Sequence, residues 1–214
     1  MQDMRRTYYP QAGLDESEML PDPITQFDLW FHQAVDAVPH EHVEPNAMTL
    51  ATASPDGMPS ARIVLLKGIH EGTLLFYTHY TSPKGQALAA NPRAALVFYW
   101  PWLGRQVRIE GAVSRCSADQ SQAYFHSRPH DSQLGAATSD QSQVIPCREV
   151  LEHKLAAMER EYDEKPVPMP PQWGGYALTP ARFEFWQGQP GRLHDRLNYL
   201  RQPDGSWTMQ RLSP

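Results

Sequence analysis

Five short runs, at 47–53, 61–67, 73–79, 94–100 and 106–115, are rich in Val, Leu, Ile, Tyr and Thr and follow one another closely. Pro55-Asp56-Gly57, His70-Glu71-Gly72 and Leu103-Gly104 punctuate them. These are turn residues, since glycine reaches positive φ without a Cβ clash and proline presets a turn. Parallel neighbours need a crossover of a dozen or more residues, so spacing this tight favours antiparallel pairing. The expectation is a meander that curls into a barrel.

Helices and extended segments surround these runs. Residues 1–22 read as an N-terminal arm closed by Asp22-Pro23, and residues 23–214 as one domain. Ile24, Phe27, Phe31, Ala34, Val35 and Val38 recur at three- and four-residue spacing, which predicts an amphipathic helix beginning at Pro23. Ser82-Pro83 starts a second helix that Asn91-Pro92 ends, and Ser117 with Gln120 forms a capping box for a third reaching Ser127. A fourth covers 148–162, with Val150, Leu151, Leu155 and Met158 on its apolar face. The proline-rich stretch 165–171 is a stiff connector. Strands at 175–178, 182–187 and 192–201 follow, the last turning through Pro203-Asp204-Gly205 onto 206–212. The fold class is mainly β with peripheral helices (α+β).

Charge and composition exclude several functional classes. Nineteen Lys and Arg face 24 Asp and Glu, a formal charge of −5, which argues against nucleic acid as a partner. No apolar run approaches the roughly 20 residues of a membrane span, and the polar start of the chain has no apolar segment behind it. No membrane partner and no signal peptide are expected. Cys116 and Cys147 lie far apart without a CxxC motif, so neither a disulfide framework nor a zinc site is expected, and a cytoplasmic location fits. The histidines include no HExxH pattern, and no metal is expected. GxGxxG, GxxxxGK[ST] and GxSxG are absent as well.

Several clusters of cations and neutral donors are candidates for chemistry. In a strand at 192–201, Arg192, His194 and Arg196 would share one face about 7 Å apart, a mutually repelling row suited either to an anion or to a solvated edge. Tyr124 and Arg128 are four apart at a helix end, with Ser132 just beyond Pro129. A phenol, a guanidinium and a hydroxyl there suit a phosphate monoester, and equally an ordinary helix terminus. Arg62 and Lys67 bracket an apolar strand, yet alternation puts them on opposite faces unless the strand twists, ends or bulges. Lys84 adds a cation to the backbone donors of a helix start. Gln106, Gln141 and Ser142 are neutral donors, and Trp186, opposite in direction to Phe183 and Phe185, is placed to pack inward or to cover a flat aromatic ligand.

The motifs RIVLLK at 62–67, FYT at 76–78, RQVRIEG at 105–111, YFHSRPHDSQLGA at 124–136, FEFWQG at 183–188 and RLHDR at 192–196 occur in that order. In this combination, from about Arg5 to Pro214, the chain resembles the pyridoxamine 5′-phosphate oxidase family. The resemblance implies an antiparallel FMN-binding split β-barrel acting as a homodimer, with FMN in clefts between the subunits. On matching positions, the FMN contacts would be Arg62, Ile63, Val64, Leu65, Leu66, Lys67, Tyr77, Thr78, Lys84, Gln106, Gln141, Ser142, Trp186 and Arg196. Lys67, Tyr124, Arg128 and Ser132 would grip the substrate phosphate. Arg192, Leu193 and His194 would line the substrate, with Arg192 and His194 nearest the reacting carbon as the catalytic candidates. Arg5, Arg6, Thr7 and Tyr8 resemble a segment that covers the site. Where many members carry Arg before the helix lysine, this chain has Pro83, which predicts weaker FMN retention.

The implied reaction is oxidation of C4′ of pyridoxamine or pyridoxine 5′-phosphate to the aldehyde, with O2 as the terminal acceptor and H2O2 as its product. Two other readings share these residues: a flavin oxidase of another aromatic substrate such as a phenazine precursor, and a non-catalytic flavin or pyridoxal-phosphate carrier. The SRPHDSQLGA and RLHDR segments speak against the former.

Overall fold

The computed structural model describes residues 13–41, 43–163 and 165–214. The expectations for the arm residues Arg5, Arg6, Thr7 and Tyr8 lie outside the described residues.

Helix α1 (Pro23–Asp36) begins where the local chemistry sets it. The Asp22 carboxylate accepts the N–H groups of Ile24 and Thr25, and Pro23 occupies the first position, where its missing N–H is not needed. Its inner face carries Phe27, Trp30 and Ala34, all nearly inaccessible to water. Phe27 packs 4.9 Å from the Phe98 ring, and Trp30 meets Phe185 edge-on at 5.2 Å, so α1 plugs one side of the sheet.

Among the described residues, nine strands form that sheet: β1 (Ala47–Ala53), β2 (Pro59–Leu65), β3 (Gly68–His70), β4 (Thr73–His79), β5 (Arg93–Trp100), β6 (Arg105–Arg115), β7 (Trp173–Gln187), β8 (Asp195–Arg201) and β9 (Trp207–Arg211). All pairings are antiparallel, in the order β2-β1-β5-β6-β7-β4-β3, with β8 on β7 and β9 on β8. The meander expectation is corrected in one respect. Helix α2 (Pro83–Ala90) carries the chain from β4 to β5, which pairs with β1, while β4 pairs with β7.

The expected strands 175–178 and 182–187 are one continuous β7. Its first half pairs with β4 up to Leu178, and its second half pairs with β8 from Arg182. The edge between them makes no ladder, so Pro180 loses no hydrogen bond there. On the opposite edge the register with β6 shifts at Glu110/Gly111. Gly111 is required at this point, because a Cβ would collide with the Thr179 carbonyl. β7 therefore serves two diverging sheet halves, the split of the barrel.

Two further expectations are corrected. The strand expected at 61–67 ends at Leu65, and Lys67 N–H instead donates to the Leu75 carbonyl at 2.8 Å. The strand expected from Arg192 begins at Asp195. Gly191 and Arg192 adopt φ of 66° and 64° in a 3-10 turn at Pro190–Arg192, so Arg192, His194 and Arg196 do not form an alternating strand face.

Helices α3 (Ala118–Ser127), α4 (His130–Thr138) and α5 (Arg148–Glu161) cover the outer end of β4 and β7. Phe125, Leu134, Val167 and Trp173 make a second, smaller core beneath them. Among the described residues no helix is long and apolar enough to cross a membrane.

Candidate active site

Beside this smaller core lies a cleft of about 530 Å³, within the size range of small-molecule sites. β2 contributes Arg62, Ile63, Val64 and Leu65, and Lys67 follows from beyond its end. Tyr77, Thr78 and His79 come from the end of β4, Lys84 from α2, and Tyr124 and Arg128 from the end of α3. Ser132, Gly135 and Ala136 of α4, Ser139 and Gln141 after it, and Trp173 of β7 complete the wall. Arg62 and Lys67 share the cleft because β2 stops between them.

Aromatic rings brace one wall. Tyr77 stacks on Tyr124 at 3.9 Å between centroids and on Trp173 at 5.3 Å. The Arg128 guanidinium lies 5.2 Å from the Trp173 ring centroid. Burial pushes the Tyr77 phenol up to about 12, and raises that of Tyr124 against the opposing pull of Arg128, so both hydroxyls are neutral donors.

The electrostatics are one-sided. Arg62, Lys67, Lys84 and Arg128 line the cleft, and among the described lining residues there is no carboxylate. Neutral acceptors hold two of these cations. Arg62 donates to the Leu50 carbonyl at 3.0 Å, Thr52 Oγ1 at 2.9 Å and Ser60 Oγ at 2.6 Å. Lys84 Nζ donates to Gln141 Oε1 at 2.7 Å and contacts Thr78 Oγ1 at 3.3 Å. Burial lowers the pKa of Arg62, Lys84 and Arg128, with Arg62 adding to the effect on Lys84. Arg128 Nη1 and His79 Nδ1 are buried and have no hydrogen-bond partner among the described residues. A buried cationic N–H without an acceptor is costly, and an anion in the cleft relieves it.

Other sequence candidates lie elsewhere. The Leu66 side chain is buried in the main core, and Ser142 is exposed with φ 69°. Gln106, Trp186 and Arg196 do not line the cleft; they are register partners in a row across β6, β7 and β8. The His194 ring lies 4.7 Å from that of Trp186 between centroids, tilted by 46°. Its Nδ1 faces the Gln189 N–H at 3.0 Å and so accepts, which places the proton of the neutral ring on Nε2. Arg192 and Leu193 are exposed on the turn beside it. The chain thus holds two groups of candidates on different elements.

His79 and Trp173 line the cleft without having stood out in the sequence. His79 is two residues from Tyr77 and shares its strand face, a signal that was present. Trp173 follows a proline-rich connector, and nothing local marks it.

The family description "Pyridoxamine 5′-phosphate oxidase" matches residues 31–160, and "Pyridoxine 5′-phosphate oxidase C-terminal dimerisation region" matches residues 173–214. The chain is 57% identical over 212 residues to a pyridoxine/pyridoxamine 5′-phosphate oxidase of Acaryochloris marina, covering 99% of this chain and 94% of the relative. It is similar in structure to PhzG from Burkholderia lata, solved in complex with tetrahydrophenazine-1-carboxylic acid. That match has a TM-score of 0.87 and 30% identity, covering 95% of this chain and 98% of the other. A pyridoxamine 5′-phosphate oxidase-related, FMN binding protein from Nostoc punctiforme shares the fold at TM-score 0.69 and 20% identity, covering 92% of this chain and all of the other. With residues 31–160 and 173–214 both matched and a relative this similar over nearly its whole length, the chain belongs to the pyridoxine/pyridoxamine 5′-phosphate oxidase family and is an oxidoreductase.

Proposed function

We propose that the chain oxidises pyridoxamine 5′-phosphate and pyridoxine 5′-phosphate to pyridoxal 5′-phosphate with FMN as cofactor and O2 as terminal acceptor. The observation that carries this reading is the cleft with four cations and no carboxylate among its described lining residues. That donor set fits two phosphate monoesters, and Arg128 Nη1, without a partner among the described residues, calls for one of them.

Arg62 and Lys84 would hold the FMN phosphate, with Thr78 and Gln141 fixing the Lys84 ammonium. FMN, when bound, supplies the hydride acceptor that O2 restores, releasing H2O2. Lys67, Tyr124, Arg128 and Ser132 would hold the substrate phosphate. Because that grip is remote from C4′, its binding energy serves to orient the reacting carbon. The stacked wall of Tyr77, Tyr124 and Trp173 keeps Arg128 in place and excludes water from its side of the cleft.

Gln106, Trp186, Arg192, His194 and Arg196 lie outside the cleft of their own chain, and the region 173–214 matches a dimerisation region. In this reading a second copy brings them to the cleft, so the active form is a homodimer. Arg192 and His194 then act at the substrate, and the Nε2–H of His194 is the group that holds or moves a proton there.

The test is oxygen uptake by purified protein with FMN and pyridoxamine 5′-phosphate, with pyridoxal 5′-phosphate and H2O2 formed in equal amounts. Absence of turnover overturns the oxidase reading. Equal turnover of unphosphorylated pyridoxamine overturns the phosphate grip.

A further inference from the structure

On one side of β7, the row Gln106, Trp186, Arg196 lies next to the row Arg108, Glu184, Asn198. Glu184 is two residues from Trp186 and so projects from the same face. It is 3% exposed, and a carboxylate that deep requires charged partners. Its Oε1 accepts from Arg196 Nε at 3.0 Å and its Oε2 from Arg196 Nη2 at 3.1 Å. This bidentate pair fixes both the position and the plane of the guanidinium. The remaining edge of Arg196 donates from Nη1 to the Ser213 carbonyl at 2.8 Å.

Two other arginines touch the same carboxylate, Arg108 at 3.3 Å and Arg182 at 3.6 Å. Both also pair with Glu110, at 2.9 and 3.8 Å, whereas among the described residues the ion pairs of Arg196 are with Glu184. Loss of Glu184 therefore acts most directly on Arg196.

We propose that Glu184 is the positioning residue for Arg196, setting the plane and net charge that this guanidinium presents beside Trp186 to the flavin. The inference rests on the reading above, in which Arg196 contacts FMN. An arginine held this way has already given up its rotamer freedom, so less is lost when it meets the ligand. Glu184→Gln replaces one acceptor oxygen by an NH2 group facing guanidinium donors, which disrupts the fork without changing size.

The test is a double-mutant cycle on FMN affinity, measured by fluorescence titration of full-length apoprotein, with thermal unfolding recorded for each variant. Arg196→Ala and Glu184→Gln are each expected to raise the FMN Kd about tenfold or more. Combined, Glu184→Gln is expected to add less than about twofold to Arg196→Ala. A Glu184 that merely held the sheet together would weaken FMN by the same factor in either background, and that result overturns the proposal, as does an unchanged Kd in Glu184→Gln. Glu184→Asp, which keeps the charge but withdraws it by one methylene, carries the same cycle if Glu184→Gln does not fold. Wild-type apoprotein that takes up no FMN overturns the flavin reading and this inference together. Wild-type uptake with normal affinity in Arg196→Ala overturns the inference alone.

Discussion

Lys84 Nζ donates to Gln141 Oε1 at 2.7 Å, tying the first turn of α2 to the segment after α4. The Thr78 hydroxyl reaches the same oxygen at 2.9 Å. Among the described residues, dipoles rather than a carboxylate hold this ammonium, so its charge is available to whatever enters the cleft.

Lys84→Met is accordingly expected to weaken FMN binding about ten- to hundredfold, the equivalent of ~1.5–3 kcal/mol for a charge-assisted hydrogen bond. The substrate KM at saturating FMN should change little. Apoprotein titration and steady-state kinetics on one preparation check this. A raised KM with unaltered FMN affinity would move Lys84 to the substrate end of the cleft.

Arg128 presents a flat face to Trp173 and a buried, unpartnered Nη1 among the described residues. Lysine reproduces the charge but neither the fork nor the flat face. Arg128→Ala should raise the KM for pyridoxamine 5′-phosphate about ten- to hundredfold, and Arg128→Lys should recover part of that loss. The FMN Kd should stay near the wild-type value in both. An equal loss with unphosphorylated pyridoxamine would show that Arg128 does not meet the phosphate.

His79 gives the apoprotein a pH dependence. Burial pushes its pKa below the ordinary 6.5; the Ala136 backbone and Asp140 oppose that depression, and Lys84 and Arg128 add to it. Just below 6.5 the unfolded chain binds a proton that the folded chain refuses. Stability from this group therefore falls as pH drops through that window and is flat above it. His79→Gln apoprotein is expected to lose less Tm than wild type on going from about pH 7 to about pH 5. Equal losses would assign the effect to another group.

How far the sequence reveals this arrangement depends on how local each determinant is. The starts of α1 and α2 are legible because a capping side chain and the proline after it act within one turn. The shared cleft of Arg62 and Lys67 is not, because β2 ends through a hydrogen bond from Lys67 to Leu75. Pro180 disguises β7 as two strands, and it is tolerated only because the β4 and β8 ladders leave a gap beside it. Helix α4 is hidden because two of its three buried residues, Gln133 and Thr138, are polar. Alternation fails at Arg192 because Gly191 and Arg192 turn the chain at positive φ. Among the site residues, the cations and donors can be read one by one, but their partition into two groups follows from strand pairing that no local pattern encodes.

Pro83 offers the last test. It occupies the first position of α2, after Ser82, whose Oγ accepts the Gly85 N–H at 3.3 Å. The family resemblance implies arginine at this position, beside the lysine. In Pro83→Arg the new cation would sit at a helix N-terminus, where the dipole opposes positive charge by about 0.3–1 kcal/mol, and the rigid proline would be lost from the unfolded chain, another ~0.4–1 kcal/mol. Both effects lower apoprotein stability. The same cation beside Lys84 should nonetheless tighten FMN about tenfold, because it adds a charge-assisted hydrogen bond to a phosphate. A lower apoprotein Tm together with a lower FMN Kd is the expected pair of results. If Tm falls and Kd does not, the flavin phosphate is not at the start of α2.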